Sequence, residues 1–148
     1  MNKINCFISN NTPGLWDKTV AELSASELVN SVYLLGKEQP ESMAEGCGFI
    51  RTDGNFSTDT IRKIADHSNG AAYTLVITRE VKIEFGMFAL ERFLELASGT
   101  GAGILYSDYF DRIEGKLLAH PVIDYQMGSL RDDFEFGPLL FMDSQAFI

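Results

Sequence analysis

Apolar and polar positions alternate along this chain in blocks that change period, and the blocks predict the elements. Residues 4–9, INCFIS, form a first apolar run, closed by the turn-forming NNTPG. Residues 15–25 carry a helical pattern, and residues 30–36, NSVYLLG, read as a second strand. GCGFIRTDG brings a short strand into a Gly/Asp turn, and residues 57–68 have the grammar of a helix start. Ser57 is placed to cap, Asp59 lies in the first turn, and Ile61, Ile64 and Ala65 share a face. Residues 71–77, AAYTLVI, are continuously apolar, as a strand covered on both sheet faces requires. Residues 85–98 place Met87, Leu90, Phe93, Leu94 and Ala97 on one broad helical stripe. Residues 101–110 read as another strand, DRIEGK as a hairpin-like turn, and GPLLFMDSQAFI as a last strand entering a helix at an Asp143 or Ser144 cap. Strands separated by helical blocks predict βαβ units, hence an α/β domain with a parallel sheet.

With 148 residues and 45% hydrophobic content, one core is expected, and residues 1–148 are read as a single domain. The final helical pattern stops about one turn after its cap, too short to be stable alone, so the domain is expected to continue beyond Ile148. The balance of 21 acidic against 12 basic residues, net -9, disfavours a nucleic-acid groove or an anionic membrane surface. A small anionic ligand stays compatible if backbone amides and helix ends receive it. Cys6 and Cys47 have neither disulfide-framework nor zinc-ligand spacing, and no run approaches the length of a membrane span or a secretory signal. A cytoplasmic protein with reduced thiols is expected.

In open α/β sheets ligands bind beyond the carboxyl ends of the strands, so the residues just after each strand are the candidates. Asp53, in the glycine turn of RTDG, offers an acceptor to a ribose hydroxyl or a base N–H, or is simply a turn aspartate. In Thr78-Arg79-Glu80, Arg79 suits a phosphate and Glu80 a cation, or the two are a solvated charge pair. Asp108 in YSDYF is a carboxylate among aromatics, a ligand or a capping residue. The acidic pair Asp132 and Asp133 is read as solvated, at the start of the last strand on the side away from the chemistry, with Arg131 a partner for either or for Glu135. His120, before a proline, is read as a hydrogen-bonded residue of an extended segment.

TDGNFSTDTIRKIA resembles the DDGSTDxT turn and helix of the inverting family 2 glycosyltransferases, with Asn55 and Phe56 intervening where that pattern is tighter. The order of later segments is similar too: a buried strand ending in charge, then FALERFLELA, then GAGILYSDYFDRIEGK, then GSLRDDFEFGPLLFMDSQAF. The likeness spans nearly the whole chain and rests on segment order more than on one motif. It implies a GT-A (nucleotide-diphospho-sugar transferase) fold, a Rossmann-like sheet with helices on both faces, that receives a UDP- or GDP-linked sugar and passes it, with inversion, to a glycan or lipid-linked acceptor. Such activity belongs to the making of cell-envelope polysaccharide. By resemblance, Asp53 contacts the base or ribose, and residues 78–80 stand where the family has an Asp-x-Asp pair holding a divalent cation, Mg²⁺ or Mn²⁺. Here Thr78 and Glu80 flank a cation instead. Either Glu80 anchors the ion with help from Asp108, or Arg79 replaces the metal at the diphosphate, or catalysis has been lost and the domain binds or regulates. The base that activates the acceptor is expected beyond residue 148, leaving these residues as the donor site.

Overall fold

The computed structural model describes residues 3–12, 14–54, 57–122, 124, 126–128, 130 and 134–148. Among these described residues, eight strands and four helices follow in the order β1 (Ile4–Ser9), α1 (Asp17–Ala25), β2 (Val29–Gly36), β3 (Cys47–Arg51), α2 (Thr58–Ser68), β4 (Tyr73–Ile77), α3 (Ala89–Thr100), β5 (Ile104–Leu105), β6 (Tyr109–Ile113), β7 (Lys116–His120), β8 (Leu139–Asp143) and α4 (Ser144–Phe147). Six strands form one sheet in the order β3-β2-β1-β4-β8-β5, and β6 and β7 form a separate two-stranded ribbon. β3, β2, β1 and β4 are mutually parallel, whereas β8 is antiparallel to both β4 and β5. The expected α/β architecture with a mostly parallel sheet is therefore present.

β1 and β4 are buried at every position, because each is flanked by strands and its two faces are both covered. One face packs Ile4, Cys6, Ile8, Leu75 and Ile77 against Trp16, Val20 and Leu23 beside α1 and Leu90 and Ala97 of α3. The opposite face packs Phe7, Leu35, Ile50, Val76 and Met142 against Ile64 of α2 and Phe147 of α4. The helices thus lie on both faces of the sheet. Period-2 alternation of side chains sends neighbouring β1 residues into two different cores.

Ser57 caps α2 through its hydroxyl, which accepts from the Thr60 N–H at 3.2 Å. The buried stripe of α2 is Thr60, Ile64 and Ser68, while Ile61 is exposed. The two hydroxyls are tolerated there because Thr60 donates to the Gly54 carbonyl and Ser68 to that of Ile64. Met87, expected on the α3 stripe, precedes that helix and is 87% exposed. The strand expected over 101–110 divides into β5 and β6, and the segment 116–120 pairs back as β7. Their turn places Glu114 at φ +49° and Gly115 at φ +77°, the backbone of a two-residue type I′ hairpin. Asp143 caps α4, accepting from the Gln145 and Ala146 amides.

Candidate functional site

Strand order reverses between β1 and β4: β2 and β3 lie to one side of β1, and β4 starts the other. The crevice beyond the carboxyl ends of β1 and β4 is the switch point at which such sheets receive ligands. It is lined by the residues that leave β1, Asn10 and Asn11, and those that leave β4, Thr78, Arg79 and Glu80. Glu80 crosses it, its Oε1 accepting from the Asn11 N–H at 2.6 Å. That bond joins the two loops and engages one carboxylate oxygen.

Close approach of the backbones builds this edge. Asn10 continues the β1 pairing by donating to the Leu35 carbonyl at 2.7 Å, and Thr52 does the same from β3 to Gly36 at 2.8 Å. Gly36 sits so near that a Cβ would lie 2.9 Å from the Asn10 carbonyl oxygen, inside contact distance. A side chain at 36 would therefore push on the loop that carries Asn11.

On the other flank, Thr78 and Arg79 bind the segment that enters β8. Because β8 runs antiparallel, that segment begins on the carboxyl edge of β4 and faces the crevice, so the start of the last strand is on the side of the chemistry and not, as expected from the sequence, away from it. Thr78 N–H donates to the Pro138 carbonyl at 2.8 Å and its Oγ1 to that of Gly137 at 3.1 Å. Arg79 Nη2 pairs with Glu135 Oε1, and Arg79 Nη1 lies 3.5 Å from the Tyr109 hydroxyl oxygen. The Glu135 carboxyl is held below the usual carboxylate range, first by the Arg79 hydrogen bond and then by the Gly137 amide. Arg79 is raised above the ordinary guanidinium value, chiefly by Glu135 and then by Tyr109.

The other candidates occupy the same edge at a distance. Asp53 follows β3, three strand positions from β4, or roughly 14 Å at about 4.8 Å per strand; it is exposed, with Thr52 buried beside it. Asp108 follows β5, on the opposite flank, and accepts from the Val122 N–H at 2.7 Å, which closes the base of the β6–β7 ribbon. The structure thus brings Glu80 and Arg79 to the switch point, with Asp53 and Asp108 to either side. His120 ends β7, pairing through Nε2 with Asp111 Oδ2 at 2.7 Å and stacking on Tyr109. Arg131, Asp132 and Asp133, like the intervening Asn55 and Phe56, lie outside the described residues. The sequence presents Glu135 as a partner for Arg131, yet its run FEFGP carries the clue to its place, since a glycine-proline pair before an apolar strand brings the preceding side chain to a strand end.

Among the described residues no three Asp, Glu, His or Cys side chains gather at one point. Glu80 is the acidic group at the crevice itself, with one oxygen engaged by Asn11. A cation there would take a single protein carboxylate and complete its shell from ligand phosphates and water, a pattern that suits Mg²⁺ better than an all-protein cage. A cavity of about 260 Å³ lies elsewhere, lined by Glu22, Leu23 and Ser26 of α1 and its exit and by residues 85–91. Among the described residues no helix is long and apolar enough to cross a membrane. No protein-family model matches the chain, and no curated protein does.

Proposed function

We propose that this chain is the donor-binding part of a glycosyltransferase similar to the inverting family 2 enzymes, with a GT-A type sheet and a cytoplasmic, UDP- or GDP-linked sugar as donor. The observation that carries the reading is the reversal of strand order at β1 and β4, with Glu80, Arg79 and the Asn11 loop meeting at that point. Asp53 accepts from the ribose or base, far enough along the edge that the ligand must be extended, as a nucleoside diphosphate is. Arg79 supplies a planar, permanently charged donor to the diphosphate. A divalent ion, Mg²⁺ or Mn²⁺, would rest on Glu80 and neutralise the leaving diphosphate. The acceptor would be a glycan or a lipid-linked saccharide.

A second reading is favoured by one observation: Glu80 and Arg79 are both engaged, by Asn11 and Glu135. It makes the chain a domain of the same fold that binds or regulates without transferring sugar. Calorimetric titration with UDP, GDP and their sugars, with and without Mn²⁺, tests both. Metal-dependent binding lost in Glu80→Ala supports the donor site with an ion, and metal-independent binding lost in Arg79→Ala supports the guanidinium version. Nucleotide binding of either kind supports the donor site, and absence of any nucleotide binding removes it and leaves the second reading.

A further inference from the structure

The cation that β4 delivers to the crevice already has an anion. Glu135 Oε1 accepts from the Arg79 guanidinium and also from the Gly137 N–H at 2.7 Å. Gly137, at φ +82°, lies under the Tyr109 ring, so that a Cβ there would meet ring carbons at 3.3 and 3.4 Å. Tyr109 in turn presents its hydroxyl to Arg79, and its ring stacks on His120 at 5.1 Å and 5°. Arg79, Glu135, Gly137 and Tyr109 close a circuit at the flank of the switch point.

Glu135 itself is not held by burial, for its side chain is 53% exposed and that of Arg79 43%. It can leave without opening the core. The backbone beneath it stays in place, because Thr78 holds the carbonyls of Gly137 and Pro138. A departing Glu135 exposes the guanidinium and the Gly137 N–H together, two converging donors that suit phosphate oxygens as well as carboxylate ones.

We infer that Glu135 is a built-in competitor, an anion that occupies Arg79 until the diphosphate of an incoming ligand displaces it. This rests on the donor-site reading for the identity of the ligand, a nucleoside diphosphate, but the latch is a property of the pair. It makes anion binding weaker than the crevice alone would allow, and limits it to ligands that offer enough charge to replace a carboxylate. Inorganic phosphate should compete less well than pyrophosphate.

The test is calorimetry at low salt on the full chain, with inorganic pyrophosphate and with UDP and GDP as probes. Glu135→Gln should bind pyrophosphate about threefold to tenfold tighter than wild type, the range expected when an exposed ion pair and one repelling charge are removed together. Glu114→Gln, which removes the same charge at the ribbon turn, should leave the affinity unchanged. In an Arg79→Ala background the Glu135→Gln gain should vanish, which identifies the coupling. Thermal melts confirm that each variant is folded. A gain below twofold, an equal gain from Glu114→Gln, or a gain that survives Arg79→Ala overturns the latch, even if wild type binds UDP and the donor reading stands. A pyrophosphate gain that no nucleotide shares keeps the latch and sinks the donor reading. Absence of pyrophosphate binding by every variant overturns the latch, and absence of UDP and GDP binding as well overturns both.

Discussion

Replacing Gly36 by alanine should destabilise the protein, although most substitutions of glycine by alanine in regular structure do the opposite. The added Cβ would stand 2.9 Å from the Asn10 carbonyl oxygen and 3.7 Å from a ring carbon of Phe49. The first contact falls on backbone at the end of β1, which is bonded to Leu35 and cannot rotate away as a side chain can. Overpacking of this kind costs about 1–3 kcal/mol, and the lower entropy of an unfolded alanine returns about 0.4–1 kcal/mol. The expected net loss is about 1–2 kcal/mol. For a chain of this size each kcal/mol lowers Tm by about 2–4 °C, so a fall of about 2–8 °C is expected. Urea unfolding should show a lower midpoint at unchanged slope. Gly99 is the internal comparison: it lies in α3 with nothing within 4 Å of a Cβ, so Gly99→Ala should be neutral or stabilising by up to about 1 kcal/mol. If Gly36→Ala proves as stable as wild type or more so, the tight apposition of the β1 and β2 ends, and the rigidity argued for the Asn11 loop, are wrong.

Other consequences can be checked on the same material. Ser57→Ala removes the α2 cap and should cost about 0.5–2 kcal/mol by urea unfolding, with Ser57→Gly less damaging. Glu114→Asn supplies the residue that a type I′ turn favours at positive φ and should raise stability by a few tenths of a kcal/mol; a loss would contradict the turn assignment. Burial pushes both thiols up, Cys6 the more strongly, so a thiol reagent should label Cys47 slowly and Cys6 only on global unfolding. Glu135 has a lowered pKa in the fold, so its contribution is complete above the ordinary glutamate range and is lost as pH falls through the lowered value. Glu135→Gln should flatten that part of the acid limb of stability, while a carboxyl titration at or above the model-peptide value of about 4.3 would contradict the pairing.

Elements whose burial follows from the chain's own periodicity were legible in the sequence. β1, β4 and α2 fall within one or two residues of their expected bounds, since continuous apolar runs, a capping serine and glycine turns act locally. What escaped depends on pairing between distant segments. Residues 116–120 have no alternating apolar face turned to a core, and only partnership with β6 makes them a strand. The direction of β8 likewise cannot be read from LLFMD, because antiparallel pairing beside β4 is a property of the assembled sheet. That direction is what carries Glu135 to Arg79. Thr78, Arg79 and Glu80 were recognisable as the charged end of a buried strand, but their partners Gly137, Glu135 and Asn11 lie 56 to 69 residues away along the chain. Ile61 and Met87 show the reverse: their spacing suited an apolar stripe, yet the helix axes turn one to solvent and leave the other before α3 begins.

Backbone amide shifts on titration with UDP would locate the ligand on the sheet edge. The resonances expected to move are Asn10 and Asn11 after β1, Thr78 to Glu80 after β4, and Asp53 at the end of β3, together with Gly137 as Glu135 is displaced. Movement confined to the α1 and 85–91 cavity, or no movement at saturating nucleotide, would contradict a donor site at the switch point.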